Sequence, residues 1–186
     1  YVALSRQAVA SGAQLVIWPE ASTPFYFDLD AAMAAPIRRL AAEARVPFLV
    51  GTDEFDRAAD GHPDRYYNTA VLVGTDGRTR EHYRKIRLVP FGEYVPFKRL
   101  LFFVGPLIEA VSDFTPGDDL KVFDVEGSRF SVAICYESVY AAMAQAFVSG
   151  GSEMLTTITN DAWFNRSSAA SQHFEQAALR AVEQGR

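Results

Sequence analysis

Apolar residues fall in short runs and spaced stripes that predict alternating helices and strands. Residues 1–12 read as a helix, with Val2, Leu4 and Val9 set among alanines. Residues 14–18 predict a buried strand. Residues 29–45 predict an alanine-rich helix with Met33, Ile37, Leu40 and Ala44 at helical spacing. Strands follow at 46–51 and 66–73, with a polar loop over 53–64 between them. Gly74-Thr75-Asp76-Gly77 has the composition of a hairpin turn and leads into a strand at 78–83. Residues 90–120, rich in proline, glycine and aromatics, read as a long ordered excursion. Strands at 121–125 and 129–135 then form a hairpin around Glu126-Gly127-Ser128. A helix at 139–149, a strand at 153–159 and a helix at 169–183 complete the chain. This mixture, without internal repeats or a low-complexity linker, predicts one α/β layered domain.

The 186 residues suffice for one domain with a substantial core. A composition of 49% hydrophobic and 22% charged residues is that of a globular protein and argues against disorder. The formal net charge of -5 and the lack of a basic block argue against nucleic acid as the main partner. Cys135 is the only cysteine, so no internal disulfide forms. His62, His82 and His173 are scattered and no Cys-x-x-Cys or His-Glu-x-x-His pattern occurs, so a metal site is not expected. The longest apolar stretch, 100–108, is broken by Gly105-Pro106 and is too short to span a bilayer, so the chain as it stands reads as soluble. It opens on a helix with no strand before it and stops where a helix would finish, as expected of a piece of a longer protein.

Three apolar runs end on a group with chemistry. Leu15-Val16-Ile17-Trp18-Pro19 stops at Glu20, Tyr83-Arg84 at Lys85, and Phe130-Ser131-Val132-Ala133-Ile134 at Cys135. A thiol at a strand end, followed at once by polar residues, is placed as a nucleophile, although a lone cysteine there is also a common core residue. Glu20, behind Trp18-Pro19, is expected to be desolvated and able to serve as the base; the alternative is a solvated loop carboxylate. Lys85 would stabilise a thiolate or an oxyanion, although Arg84 and Arg87 show that the segment is basic in any case. No histidine stands in a convincing partner motif.

The Glu-Lys-Cys order resembles the carbon–nitrogen hydrolase (nitrilase) superfamily, whose fold is a four-layer α-β-β-α sandwich. Within it, Trp18-Pro19-Glu20-Ala21-Ser22-Thr23-Pro24, the stretch from Tyr83 to Pro96 with Val89-Pro90-Phe91-Gly92-Glu93-Tyr94-Val95-Pro96, Ile134-Cys135-Tyr136-Glu137 and Thr159-Asn160-Asp161-Ala162-Trp163-Phe164 resemble the periplasmic domain of the apolipoprotein N-acyltransferases. The resemblance implies that residues 1–186 are one such catalytic domain, truncated at both ends and lacking the first strand and the C-terminal strands. It implies Glu20 as general base, Lys85 as oxyanion stabiliser and Cys135 as acylated nucleophile. Glu93 is implied as a further glutamate supporting Lys85. Tyr136 and Glu137 are implied as required beside the nucleophile, with the Tyr136 N–H completing an oxyanion hole. It further implies a phospholipid acyl donor, a diacylglyceryl-cysteine apolipoprotein acceptor and no metal or organic cofactor. The setting it implies is the bacterial inner membrane, reached through transmembrane segments outside this chain, with the domain on the periplasmic face.

In that setting Phe97, Leu101, Phe102, Phe103 and Leu107 are candidates for lipid contact, the alternative being packing on the domain itself. The family pattern has glycine where this chain has Asn165, the residue that after glycine best tolerates a positive φ. A soluble amidase of the same superfamily is the main alternative, and the apolar excursion and Tyr136-Glu137-Ser138 weigh against it. A catalytically dead lipid- or protein-binding domain would show a broken triad; all three members are present.

Overall fold

A computed structural model describes residues 1–58, 64–96, 113–165 and 167–186. The elements run α1 (Val2–Ala10), β1 (Val16–Ile17), α2 (Ala31–Ala44), β2 (Phe48–Asp56), β3 (Arg65–Val73), β4 (Thr79–Arg84), β5 (Val122–Val125), β6 (Ser128–Ile134), α3 (Ala141–Ser149), β7 (Met154–Ile158) and α4 (Ala169–Gln184). One sheet has the order β1-β2-β3-β4 and the other β5-β6-β7. β1 runs parallel to β2 and β6 parallel to β7, while the remaining neighbours are antiparallel.

The two-residue period of β2 and β3 sorts their side chains onto two faces. Phe48, Val50, Val71 and Val73 pack with Ile37, Leu40 and Ala41 of α2. Leu49, Ala70 and Leu72 turn the other way and meet Phe130, Val132 and Ile134 of β6. Beyond the second sheet, α3 and α4 enclose a cavity over Ser131, Ala133 and Leu155. The layers are therefore helix, sheet, sheet, helix.

Several predicted bounds move. β1 is only Val16–Ile17, and Ile17 is exposed because it lies on an edge strand. Met33 is also exposed. The buried face of α2 is formed by Ala34, Ile37, Leu40 and Ala41, the small alanines letting the helix lie close, and Met33 falls at its rim in the first turn. Residues 53–56, expected as loop, are strand, paired from Asp53↔Asn68 to Asp56↔Arg65. Their polar character hides a regular backbone ladder: Glu54 and Asp56 are ion-paired with Arg84 of β4. The β5–β6 turn is shorter than expected, with Glu126 and Gly127 both at positive φ, as a two-residue hairpin requires. Residues 135–139, expected to continue a strand and open a helix, form a 3-10 turn before α3.

One close approach on β2 sets the path of the chain toward Glu20. The segment after β1 crosses over Gly51, so that a Cβ there would stand 2.8 Å from the Glu20 Cα and closer still to the Pro19 carbonyl oxygen. Both are backbone neighbours that cannot swing aside. Gly51→Ala is expected to lower stability by about 1–3 kcal/mol, read as a lower urea midpoint with an unchanged slope. A wild-type midpoint would show that residues 19 and 20 can move away freely.

Candidate active site

Glu20, Lys85 and Glu93 converge in one hydrogen-bonded cluster. Glu20 follows β1, Lys85 follows β4, and Glu93 lies in the loop beyond it. Lys85 is 1% exposed, and its Nζ donates to Glu93 Oε1 at 2.8 Å and to Glu20 Oε1 at 3.2 Å. Its backbone is fixed as well, since the Lys85 N–H donates to the Asn68 carbonyl and the Gly117 N–H donates to the Lys85 carbonyl. Burial acts against the ammonium, but the neighbouring charges, those of Glu20 and Glu93 first, outweigh it and raise its pKa. With two carboxylates on one ammonium, loss of either would leave Lys85 paired with the other.

Asn68, which no sequence pattern singles out, links the two glutamates. Its Nδ2 donates to Glu20 Oε1 at 2.7 Å and to Glu93 Oε1 at 3.0 Å. The remaining carboxylate oxygens are held by backbone N–H groups: Asn160 donates to Glu20 Oε2 at 2.9 Å and Val89 to Glu93 Oε2 at 2.8 Å. Glu20 is thus buried and accepts hydrogen bonds from Asn68, Lys85 and Asn160.

Cys135 stands at the end of β6 with φ at 51°. A non-glycine residue in the left-handed region is strained by about 1–2 kcal/mol, and neighbours hold it there. His173 Nε2 donates to the Cys135 carbonyl at 2.9 Å while Nδ1 faces Asp161 Oδ1 at 2.9 Å. Asp161 also accepts from the Thr159 hydroxyl at 2.8 Å. Both nitrogens of His173 therefore face oxygen atoms. Burial, then the charge of Glu20, raise the Cys135 pKa, and Lys85 offsets only part of that. Burial and Glu20 thus disfavour the thiolate.

Glu137 has a different place from the one its position beside Cys135 suggests. It is 1% exposed and points into the sandwich. Its carboxylate accepts from the N–H groups of Ile86, Arg87 and Ile134 at 2.7, 3.1 and 2.8 Å, and from the Tyr83 hydroxyl at 2.9 Å. It clamps the segment after Lys85 to the end of β6, so it ties the ammonium to the thiol from behind. The Tyr136 ring is half-buried and meets Tyr140 edge-on at 5.3 Å. Asn165 takes a φ of 50°, so the turn assigned to glycine in the family pattern keeps its positive φ. Phe97, Leu101, Phe102, Phe103 and Leu107 lie outside the described residues. Among the described residues, no helix is long and apolar enough to cross a membrane.

The carbon-nitrogen hydrolase family model matches residues 1–186. The chain belongs to the carbon-nitrogen hydrolase family. It is 41% identical over 184 residues to an apolipoprotein N-acyltransferase of Geobacter metallireducens, covering 98% of this chain and 35% of that protein. It is 35% identical over 182 residues to that of Aquifex aeolicus, covering 98% of this chain and 39% of that protein. The chain thus spans little more than a third of these curated relatives. Among solved structures, a carbon-nitrogen hydrolase from Helicobacter pylori superposes with a TM-score of 0.67 at 20% identity, covering 99% of this chain and 63% of that one. A mutant amidase from Nesterenkonia sp., with acrylamide added at its active site cysteine, gives 0.65 at 19% identity, covering 99% and 66%. These structures share the nitrilase-like sandwich.

The Glu137 clamp can be tested in a way that separates structure from chemistry. Glu137→Ala would leave three N–H groups and one hydroxyl without their acceptor, each at about 1–3 kcal/mol. That total is comparable to a domain's whole stability of about 5–15 kcal/mol, so the variant is expected not to fold. Glu137→Gln, which keeps one acceptor, is expected to lower the Tm by several degrees while the folded fraction still alkylates at Cys135. An unchanged Tm with lost reactivity would instead place Glu137 in the chemistry.

Proposed function

We propose that this chain is the catalytic domain of an apolipoprotein N-acyltransferase that works through a Cys135 thioester. The observation that carries the reading is identity of up to 41% along nearly the whole chain to proteins of that name. It is supported by a thiol beside a buried carboxylate–ammonium–carboxylate cluster. The reaction has two halves. As Cys135 Sγ attacks a phospholipid ester carbonyl, Glu20 takes the thiol proton. The tetrahedral oxyanion sits against the Lys85 ammonium and the Tyr136 N–H. When the ester C–O bond breaks, Glu20 returns the proton to the departing lysophospholipid oxygen. The free carboxylate then takes a proton from the α-amino group of a diacylglyceryl-cysteine, whose nitrogen attacks the thioester and releases the thiol. Glu93 and Asn68 hold Lys85 and Glu20 in register through both steps. In the full-length protein the domain would meet both lipids at the periplasmic face of the inner membrane.

A soluble amidase shares the same groups, and solved structures titled amidases share the fold. Their identity of 19–20% supports the fold alone, so this reading is second.

The two readings differ in what accumulates. Full-length protein in membranes, incubated with phospholipid and no acceptor, is expected to gain one acyl mass and release lysophospholipid. Cys135→Ser is expected to lose the hydroxylamine-labile adduct. A folded wild type that takes no acyl mass yet turns over small amides would contradict the proposal.

A further inference from the structure

Asp53 is the charged neighbour of the cluster that the acyl-transfer chemistry leaves unused. Along β2, Leu49 faces the second sheet and Gly51 lies under the chain entering Glu20, so the two-residue period puts Asp53 on that same face. Its cross-strand partner is Asn68, the residue that links Glu20 and Glu93. Directly opposed residues on one face stand within side-chain reach. Asn68 must turn its NH2 toward the two carboxylates, which fixes its Oδ1 on the other side. That oxygen is buried and, among the described residues, accepts no hydrogen bond. Nor, among the described residues, does a donor meet the Asp53 carboxylate.

The charges are unequal as well. Glu20, Glu93 and Asp53 present three carboxyl groups, and among the described residues Lys85 is the ammonium bonded to the first two. Burial, then the charges of Glu20 and Glu93, push Asp53 up to about 6. At neutral pH it is an anion in an environment that disfavours anions, so a bound cation is favoured there. Two acceptors that lack a donor, beside a base, fit a positively charged hydrogen-bond donor.

We propose that Asp53, with Asn68 Oδ1 across the strand pair, binds the protonated amine of the acyl acceptor. The inference rests on the acyltransferase reading and names the acceptor's subsite within it. Asp53 makes and breaks no covalent bond. The ammonium held there passes one proton to Glu20 and becomes nucleophilic. Its nitrogen attacks the thioester carbonyl, the C–S bond breaks, and a second nitrogen proton goes to the departing sulfur. The proton left on Glu20 leaves to solvent. The subsite selects amines over neutral nucleophiles, because a hydroxyl or water brings no charge to it.

The test uses full-length protein in membranes and separates the two half-reactions. Acyl-enzyme is formed with phospholipid and then released either by a diacylglyceryl-cysteinyl peptide or by hydroxylamine, which is neutral at the assay pH. For Asp53→Asn, the acceptor KM is expected to rise about tenfold to a hundredfold, as for a lost charged hydrogen bond. Acylation and hydroxylamine release should change less than about twofold, and Asp53→Glu should recover part of the acceptor KM. An unchanged acceptor KM overturns the proposal. So does an equal fall in all three rates, which marks a structural role. Failure of the wild type to form any acyl-enzyme would instead strike the underlying reading, so the two failures are distinct.

Discussion

A single ammonium buried between two carboxylates is the constraint on which the rest of the site depends. Lys85 has almost no contact with solvent, yet it is charged, because Glu20 and Glu93 offset the cost of removing it from water. Loss of either carboxylate would still leave the ammonium paired with the other. The same arrangement leaves the thiol without a full counter-ion. Lys85 is already engaged by two anions, so it lowers the Cys135 pKa less than burial and Glu20 raise it. The raised pKa of the thiol fits the proposal that Glu20 activates it by proton transfer.

The sandwich serves this cluster by bringing strand ends from two sheets together. Glu20 and Lys85 come from the four-stranded sheet and Cys135 from the three-stranded one. Such a junction shears unless something crosses it, and Glu137 does so by bonding backbone on both sides. Asn160, which donates to Glu20 from beyond the end of β7, crosses it a second time. Gly51 permits the close passage that points Glu20 inward. His173 reaches from α4 to hold the strained Cys135 turn. The chemical groups are few, and most nearby residues keep them from drifting.

Much of this is legible in the chain because strand ends mark themselves. Apolar runs that stop on Glu20 and Cys135 place those groups at strand ends, while Lys85 follows the mostly polar strand Thr79–Arg84, and the layered α/β class follows from the alternation of elements. The features that escape a reading of the sequence have a common cause. Residues 53–56 are strand by virtue of backbone pairing, while their side chains carry the charges of an ion-paired sheet face. Asn68 and His173 act on partners tens of residues away, with no local spacing to betray them. Glu137 draws notice by its place beside the thiol, but its work as a clamp needs Tyr83, Ile86 and Arg87 in three dimensions.

The most direct test of a base-dependent nucleophile is the pH profile of Cys135 alkylation by iodoacetamide in the full-length protein, followed by intact mass. With the folded pKa raised above the ordinary cysteine value, alkylation should be slow at neutral pH. It should rise only at a pH above that at which a free cysteine reacts. Fast alkylation that is independent of pH through neutrality would mean a preformed thiolate, and would contradict the role given to Glu20.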